Sequence, residues 1–70
     1  MRILIVEDEL VLSQQIQQYF SDKGFAVDVA NTGSDGLFMG EEYPVDAAVI
    51  DVGLPDFSGI ELIKKLRTKN

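Results

Sequence analysis

The stretch Val49-Ile50-Asp51-Val52-Gly53-Leu54-Pro55 decides the fold predicted for this chain. A run of small and β-branched residues from Ala47 to Ile50 is typical of a strand that is buried on both faces. The run ends at Asp51, and Gly53 and Pro55 then turn the chain out of the sheet. An ionised carboxylate is costly to bury without a partner, so Asp51 is expected at the carboxyl edge of its strand, where ligands bind in open α/β sheets.

A second acidic group follows an apolar run in the same way near the amino terminus. Glu7, Asp8 and Glu9 come directly after the run 3–6, which predicts a central parallel strand. If the two strands are neighbours, Glu7, Asp8 and Asp51 converge at one end of the sheet. Taken singly, each acid has a simpler explanation, since Asp8 could cap the first helix and Asp51 could serve a turn.

Composition limits the functions that the chain can have. The 70 residues allow one small domain, and 12 acidic against 6 basic residues give a net charge of −6. This charge disfavours direct binding to nucleic acid or to anionic membranes. The chain contains no cysteine and no histidine, which excludes disulfides, thiolate sites and the usual zinc ligand. The amino terminus is neither a signal peptide nor a membrane span, so a cytoplasmic protein is expected.

The remaining pattern alternates between helical and extended periods. Residues 9–23 have helical spacing with a stripe formed by Leu12, Ile16, Tyr19 and Phe20, and Gly24 is placed to end that helix. A second strand is predicted over 25–29 and a third over 45–50. A second helix is predicted to begin near Thr32 and to end at Tyr43-Pro44. A third helix is predicted to begin at the capping residues Ser58 and Glu61. Glycines weaken the second helix, so Leu37, Phe38 and Met39 are expected to hold it by packing. Lys64, Lys65, Arg67 and Lys69 collect toward the end of the last helix, where cations suit the helix dipole. The order βαβαβα implies an α/β domain with a parallel sheet.

The three acids predict a magnesium site. Crowded carboxylates are stable only with a proton or a cation, and hard oxygen ligands without sulfur or imidazole suit Mg²⁺. A carboxylate at such an edge can attack phosphorus and form an acyl phosphate without a general base.

The motifs Ile3-Leu-Ile-Val-Glu-Asp-Glu9 and Asp51-Val-Gly-Leu-Pro-Asp-Phe-Ser-Gly59 resemble those of bacterial response-regulator receiver domains, most closely the OmpR/PhoB type. The resemblance covers all 70 residues. It implies a flavodoxin-like (CheY-like) fold whose strand order begins 2-1-3. By the same match Asp51 resembles the phosphoacceptor, and Glu7 and Asp8 resemble the acidic pair at the Mg²⁺ ion. Gly53 resembles the residue whose backbone carbonyl completes the metal shell, and Pro55 and Gly59 match the loop that follows.

The resemblance also implies what these residues lack. Receivers carry a Ser or Thr after a fourth strand and a Lys after a fifth, and the OmpR/PhoB type adds a DNA-binding domain. The chain is therefore expected to be a truncated receiver over residues 1–70, without the DNA-binding domain. It is interpreted as a signalling domain rather than an enzyme, phosphorylated by a sensor histidine kinase. The third strand would be an open edge, so a homodimer is expected, formed through that strand or by exchange of elements.

Three alternatives compete with this interpretation. A flavodoxin-like cofactor binder would need a phosphate loop after the first strand, where Glu7, Asp8 and Glu9 would repel a phosphate. A haloacid-dehalogenase-type phosphatase would need an Asp-x-Asp pattern after the first strand, which is absent. A half-receiver or engineered homodimer with a silent site remains open, and phosphotransfer would distinguish it.

Overall fold

The chain alternates strands and helices throughout. A computed structural model describes residues 1–56 and 58–68, so Phe57 of the second motif and Lys69 of the basic cluster lie outside the described residues. The elements are β1 (Arg2–Val6), α1 (Leu10–Asp22), β2 (Ala26–Ala30), α2 (Gly33–Glu42), β3 (Ala47–Ile50) and α3 (Gly59–Arg67). This is the predicted βαβαβα order.

The three strands form one parallel sheet in the order β2-β1-β3. Ile3 of β1 lies opposite Val27 on one side and Ala47 on the other, and Val6 lies opposite Ala30 and Ile50. The predicted strand order is therefore confirmed. Because all strands run in the same direction, the residues that follow Val6, Ala30 and Ile50 meet at one edge of the sheet.

The third strand begins later than predicted. β3 starts at Ala47, whereas the sequence pattern placed its start at Val45. The Val45 amide donates to the Tyr43 carbonyl at 2.9 Å, closing a tight turn around Pro44 that keeps Val45 out of the sheet. Pairing with β1 begins at Asp46, whose amide donates to the Arg2 carbonyl at 2.9 Å.

The core lies between the sheet and helices α2 and α3. It consists of Leu4, Val6, Ala30, Leu54 and Leu62, with Leu37, Met39, Ile50 and Leu66 packed around it. Two glycines of α2, which appeared to be only a cost in the sequence, make this packing possible. A Cβ at Gly36 would lie 2.8 Å from Val6 Cγ2, and one at Gly40 would collide with Leu66. The glycines therefore let α2 approach β1 and α3 closely.

Helix ends follow the predicted signals. Thr32 Oγ1 accepts from the Asp35 amide at 3.1 Å, and Ser58 Oγ accepts from the Glu61 amide at 3.1 Å. Gly24, which follows the C-cap residue Lys23 of α1, has a φ of 89°, the left-handed conformation expected after a helix end. Within the described residues, no helix combines the length and the apolar character that crossing a membrane requires.

Predictions of burial were wrong at several positions. β3 was expected to be buried on both faces, but Ala47, Ala48 and Val49 are exposed, because β3 is an edge strand and α1 and α2 pack on β1 and β2 instead. On α1 and α2, Leu12, Tyr19 and Phe38 are exposed, whereas Ser13 is buried. Helix α1 packs against β1 and β2 and leaves part of its apolar stripe uncovered.

Candidate functional site

Three carboxylates meet at the carboxyl edge of the sheet. Glu7 and Asp8 follow β1, and Asp51 follows β3, and each offers one oxygen such that these oxygens lie within 4.8 Å of one another. Asp8 is exposed, Asp51 is half-buried and Glu7 is only 9% exposed. The structure thus brings together the three acids that the sequence placed at one site.

Glu7 is held in place by the backbone around it. Its amide donates to the Ala30 carbonyl at 3.0 Å, and its Oε2 accepts from the Glu9 amide at 3.1 Å. The hydrogen bond from Glu9 lowers the pKa of Glu7, but burial and the nearby Asp51 and Asp8 raise it by more. The net upward shift in this pKa therefore reflects the burial of Glu7 first and its crowding with two other acids second.

Asp8 does not cap the first helix. The residue before α1 is Glu9, and no side chain at that position accepts a hydrogen bond from the helix. The simpler explanation for Asp8 is therefore wrong in this structure. Its exposed carboxylate remains available next to Glu7 and Asp51.

Asp51 lies at the junction of β3 and the loop that leads to α3. Its backbone amide continues the pairing with β1, donating to the Val6 carbonyl at 2.9 Å, and its Oδ1 accepts from the Gly53 amide at 3.2 Å. The loop returns close to this point, because the Gly59 amide donates to the Val52 carbonyl at 3.0 Å. A Cβ at Gly59 would collide with the Asp51 carbonyl, so only glycine permits this approach.

Two polar residues that the sequence reasoning missed connect the loops around the acids. The Asn31 side chain donates to the Glu7 carbonyl at 2.8 Å. Asp56 accepts from the amides of Gly33 at 2.7 Å and Ser34 at 2.8 Å. Both contacts join residues more than twenty positions apart, and no local sequence signal would have paired them.

The basic residues of α3 lie away from the acids. Lys64, Lys65 and Arg67 occupy the last turn, whereas the first residue of the helix, Gly59, lies beside Asp51. Nine residues of helix, about 13 Å at 1.5 Å per residue, separate the two ends.

The donor set fits a hard divalent cation. All three groups are carboxylates, two come from one loop and one from another, and their spacing leaves room for a shared ion. Such oxygen ligands suit Mg²⁺, which keeps several waters when few protein groups hold it. The raised pKa of Glu7 also indicates a site that a cation would relieve.

Comparison with known proteins identifies the family. The profile of the family described as "Response regulator receiver domain" matches residues 3–70. The chain belongs to the response-regulator receiver family. A similar curated relative is the two-component response regulator PhoP of Pseudomonas aeruginosa, 39% identical over 69 residues. The cell cycle transcriptional regulator CtrA of Caulobacter vibrioides is 36% identical over 67 residues.

Solved receiver structures share the fold. A CheY-like receiver domain from Methanospirillum hungatei superimposes with a TM-score of 0.94 at 34% identity, covering 96% of this chain and 54% of that one. TrrA of Thermotoga maritima, in complex with Mg²⁺-BeF, gives a TM-score of 0.94 at 28% identity, with 99% and 60% covered. TrrA also appears in complex with the histidine kinase ThkA. The flavodoxin-like, CheY-like fold is therefore shown.

The receiver matches only part of each relative. The alignment with PhoP covers 99% of this chain and 31% of PhoP, and the alignment with CtrA covers 96% of this chain and 29% of CtrA. The activities of those longer proteins can therefore only be proposed for this chain.

Proposed function

We propose that Asp51 is the phosphoacceptor of a two-component signalling receiver and that Mg²⁺ assists its phosphorylation. The observation that carries the proposal is the meeting of Glu7, Asp8 and Asp51 oxygens within 4.8 Å at one sheet edge. Glu7, Asp8, Asp51 and the Gly53 carbonyl would hold the ion. When bound, Mg²⁺ would supply positive charge that offsets the repulsion between the carboxylates and an incoming phosphoryl group.

The chemistry requires little beyond positioning. An ionised Asp51 oxygen attacks the phosphorus of a phosphohistidine, and a new P–O bond forms as the P–N bond breaks. The imidazole leaves with the electron pair of that bond and takes a proton from water. No general base is needed, because the nucleophile is already a carboxylate. The hydrogen bond from the Gly53 amide to Asp51 Oδ1 fixes one oxygen and leaves the other to react.

A sensor histidine kinase is the phosphodonor that we propose. The support is the TrrA protein, which resembles this chain at 28% identity and has a structure with the kinase ThkA. The likeness to CtrA, a transcriptional regulator, supports a role in transcription control. We propose that this role is exercised in the cytoplasm, by a signalling domain rather than an enzyme. The net charge of −6 favours an indirect role, with no direct contact between these 70 residues and DNA or membrane.

We also propose that the separate 70-residue chain forms a homodimer through β3. The outer edge of β3 has no partner strand within the described residues, and Ala47, Ala48 and Val49 on it are exposed and uncharged. An open groove of about 590 Å³ lies beside this edge, lined in part by Ile63 and Leu66. Unprotected apolar edges recruit another strand, and antiparallel pairing of two identical strands is compatible with a two-fold axis. Exchange of elements between two copies would cover the same edge.

A receiver with a silent site is the second candidate. Three strands are present in the described part of the chain, and the family resemblance expects a Ser or Thr and a Lys from a fourth and a fifth strand. Such groups typically contribute a few kcal/mol each to transition-state stabilisation. Such a chain would bind a cation without accepting a phosphoryl group at a useful rate.

Beryllofluoride, which mimics an aspartyl phosphate, tests the proposed site. The amide signals of Asp51 and Gly53 would be followed by NMR as Mg²⁺ and then beryllofluoride are added. We expect shifts with Mg²⁺ and a further set with beryllofluoride, both reduced in Asp8→Ala. Asp51→Asn should lose the beryllofluoride response. Equal responses in all three proteins would contradict the assignment, and a Mg²⁺ response without a beryllofluoride response would favour the silent receiver.

A further inference from the structure

The carboxylate of Asp56 joins two segments that are distant in sequence. Its two oxygens accept from the amides of Gly33 at 2.7 Å and Ser34 at 2.8 Å. These are the first two amides of α2, which have no partner within the helix. The Asp35 amide donates to the Thr32 side chain, and the Gly36 amide donates to the Thr32 carbonyl. With Asp56 as acceptor for the other two, each of the first four amides of α2 has a hydrogen-bond partner.

The same helix-entry segment reaches the other acidic loop. Asn31, two residues before α2, donates from Nδ2 to the Glu7 carbonyl at 2.8 Å. The segment 31–34 therefore contacts the loop of Glu7 and Asp8 through Asn31, and the loop of Asp51 and Gly53 through Asp56. It contributes no carboxylate to the cluster itself.

The loop that carries Asp56 is fixed on both sides of this contact. Leu54 is buried in the core, and the Gly59 amide donates to the Val52 carbonyl at 3.0 Å. Between these points, Asp56 links the loop to α2, three residues after Gly53. A displacement of Asp56 would therefore be felt at the Gly53 carbonyl, because the intervening chain is short and anchored.

We propose that Asn31 and Asp56 are positioning residues that set the spacing between the two acidic loops and thereby the affinity for Mg²⁺. The segment 31–34 acts as a bracket, with Asn31 holding one loop and Asp56 the other. The inference rests on the proposed function, since it takes the ion to be held by Glu7, Asp8, Asp51 and the Gly53 carbonyl.

Electrostatics supports a persistent contact at Asp56. Partial desolvation raises the pKa of this carboxyl, but the hydrogen bonds from the Ser34 and Gly33 amides lower it by more, so the net shift is downward. The carboxylate is therefore ionised at neutral pH and interacts favourably with the positive end of α2.

A role limited to capping α2 predicts a different outcome from a positioning role. A cap stabilises the fold and leaves Mg²⁺ affinity unchanged, whereas the bracket changes both. Asp35 provides a matched control, because it is an exposed aspartate in the first turn of the same helix and its side chain is not part of the bracket. Asp35→Asn removes the same charge from the same helix end.

The experiment measures the Mg²⁺ dissociation constant by NMR titration of the Asp51 and Gly53 amides in folded protein. Asp56→Ala is expected to weaken binding about tenfold, the lower end of the range for residues that orient metal ligands. Asp56→Asn, which keeps one acceptor oxygen, should fall between Ala and wild type, and it provides the measurement if the Ala variant does not fold. Asp35→Asn should match wild type.

Two further readouts separate the possible failures. In wild type, Mg²⁺ should shift the Gly33 and Ser34 amide signals, although neither residue belongs to the proposed metal shell. Unchanged affinity in both Asp56 variants, or silent Gly33 and Ser34 signals, would overturn the bracket while leaving the proposed function intact. Absence of Mg²⁺ binding in wild type would instead overturn the proposed function.

Discussion

Replacing Asp51 with Asn should stabilise the metal-free protein. The substitution removes one charge from the acidic cluster and keeps an oxygen that can accept from the Gly53 amide. Asp51 is more than forty positions from Glu7 and Asp8, so its repulsion with them arises only on folding. Asn should therefore relieve a cost that the unfolded chain does not have.

The oxygen distances give the size of the effect. At the 4.8 Å limit of the cluster, two unit charges repel by about 0.9 kcal/mol in water and by about 3.5 kcal/mol at an effective dielectric constant of 20. Asp8 is exposed, so the lower value applies to most of the interaction. Relief of two such pairs predicts a gain of about 1–2 kcal/mol, or roughly 4–8 °C in melting temperature for each kcal/mol in a domain of this size.

Mg²⁺ should reduce the difference in stability between Asp51→Asn and wild type. A cation that binds only the folded state adds about 1.4 kcal/mol when its free concentration is ten times its dissociation constant. Wild type should gain this stabilisation, whereas Asp51→Asn, which has lost a ligand, should gain little. The part of the advantage of Asp51→Asn that comes from Glu7 should also be lost in acid. Because the pKa of Glu7 is raised in the fold, its proton stays bound as the pH rises above the ordinary value of 4.5, so the repulsion between Glu7 and Asp51 appears only above that range.

Thermal melts at fixed protein concentration, with and without Mg²⁺, measure both effects. Glu42→Gln is the matched control, since Glu42 is exposed at the far end of α2 and its loss changes the net charge equally. The reasoning would be refuted if Asp51→Asn melted no higher than wild type without Mg²⁺, or if both proteins gained equally from the ion.

Three further predictions concern the loop and the open edge. Gly59→Ala should cost about 1–3 kcal/mol, because its Cβ collides with the Asp51 carbonyl. Gly53→Ala, which meets open space at a φ that is not positive, should instead stabilise by about 0.4–1 kcal/mol, and denaturant titrations compare the two. Because the pKa of Asp56 is lowered in the fold, this carboxylate stabilises the protein above the ordinary pKa of 3.8, and that stabilisation is lost as the pH falls through the lowered pKa. Acid titrations should therefore show a smaller loss of stability for Asp56→Asn than for wild type. Analytical ultracentrifugation at micromolar concentration should find a dimer that Val49→Lys weakens, because a charge on the open edge of β3 opposes strand pairing; a folded wild-type monomer of 7.7 kDa would contradict this.

The sequence predicted the features that depend on local pattern. The alternation of strands and helices, the acids at the strand ends and the helix starts at Thr32 and Ser58 each have a short-range signal, and each is present in the structure. The strand order has no such signal and was predicted only through the resemblance to receivers. These signals suffice because hydrophobic period and capping chemistry act over a few residues.

Features that depend on distant packing were missed. Gly36 is needed because α2 lies close against Val6, a contact that only the folded structure reveals. The contact of Asp56 with Gly33 joins positions 23 residues apart. The expectation that Leu12 and Tyr19 are buried was wrong. A stripe of apolar residues predicts a helix face, but it does not predict which other elements cover that face.

Mass spectrometry of the intact protein after incubation with acetyl phosphate and Mg²⁺ tests the central claim most directly. The account predicts slow, partial addition of one phosphoryl group to wild type, none without Mg²⁺, and none in Asp51→Asn. Rapid stoichiometric labelling would show that the groups expected from a fourth and a fifth strand are dispensable. Equal labelling of wild type and Asp51→Asn, or no labelling of a wild-type protein that binds Mg²⁺, would contradict the assignment of Asp51 as the phosphoacceptor.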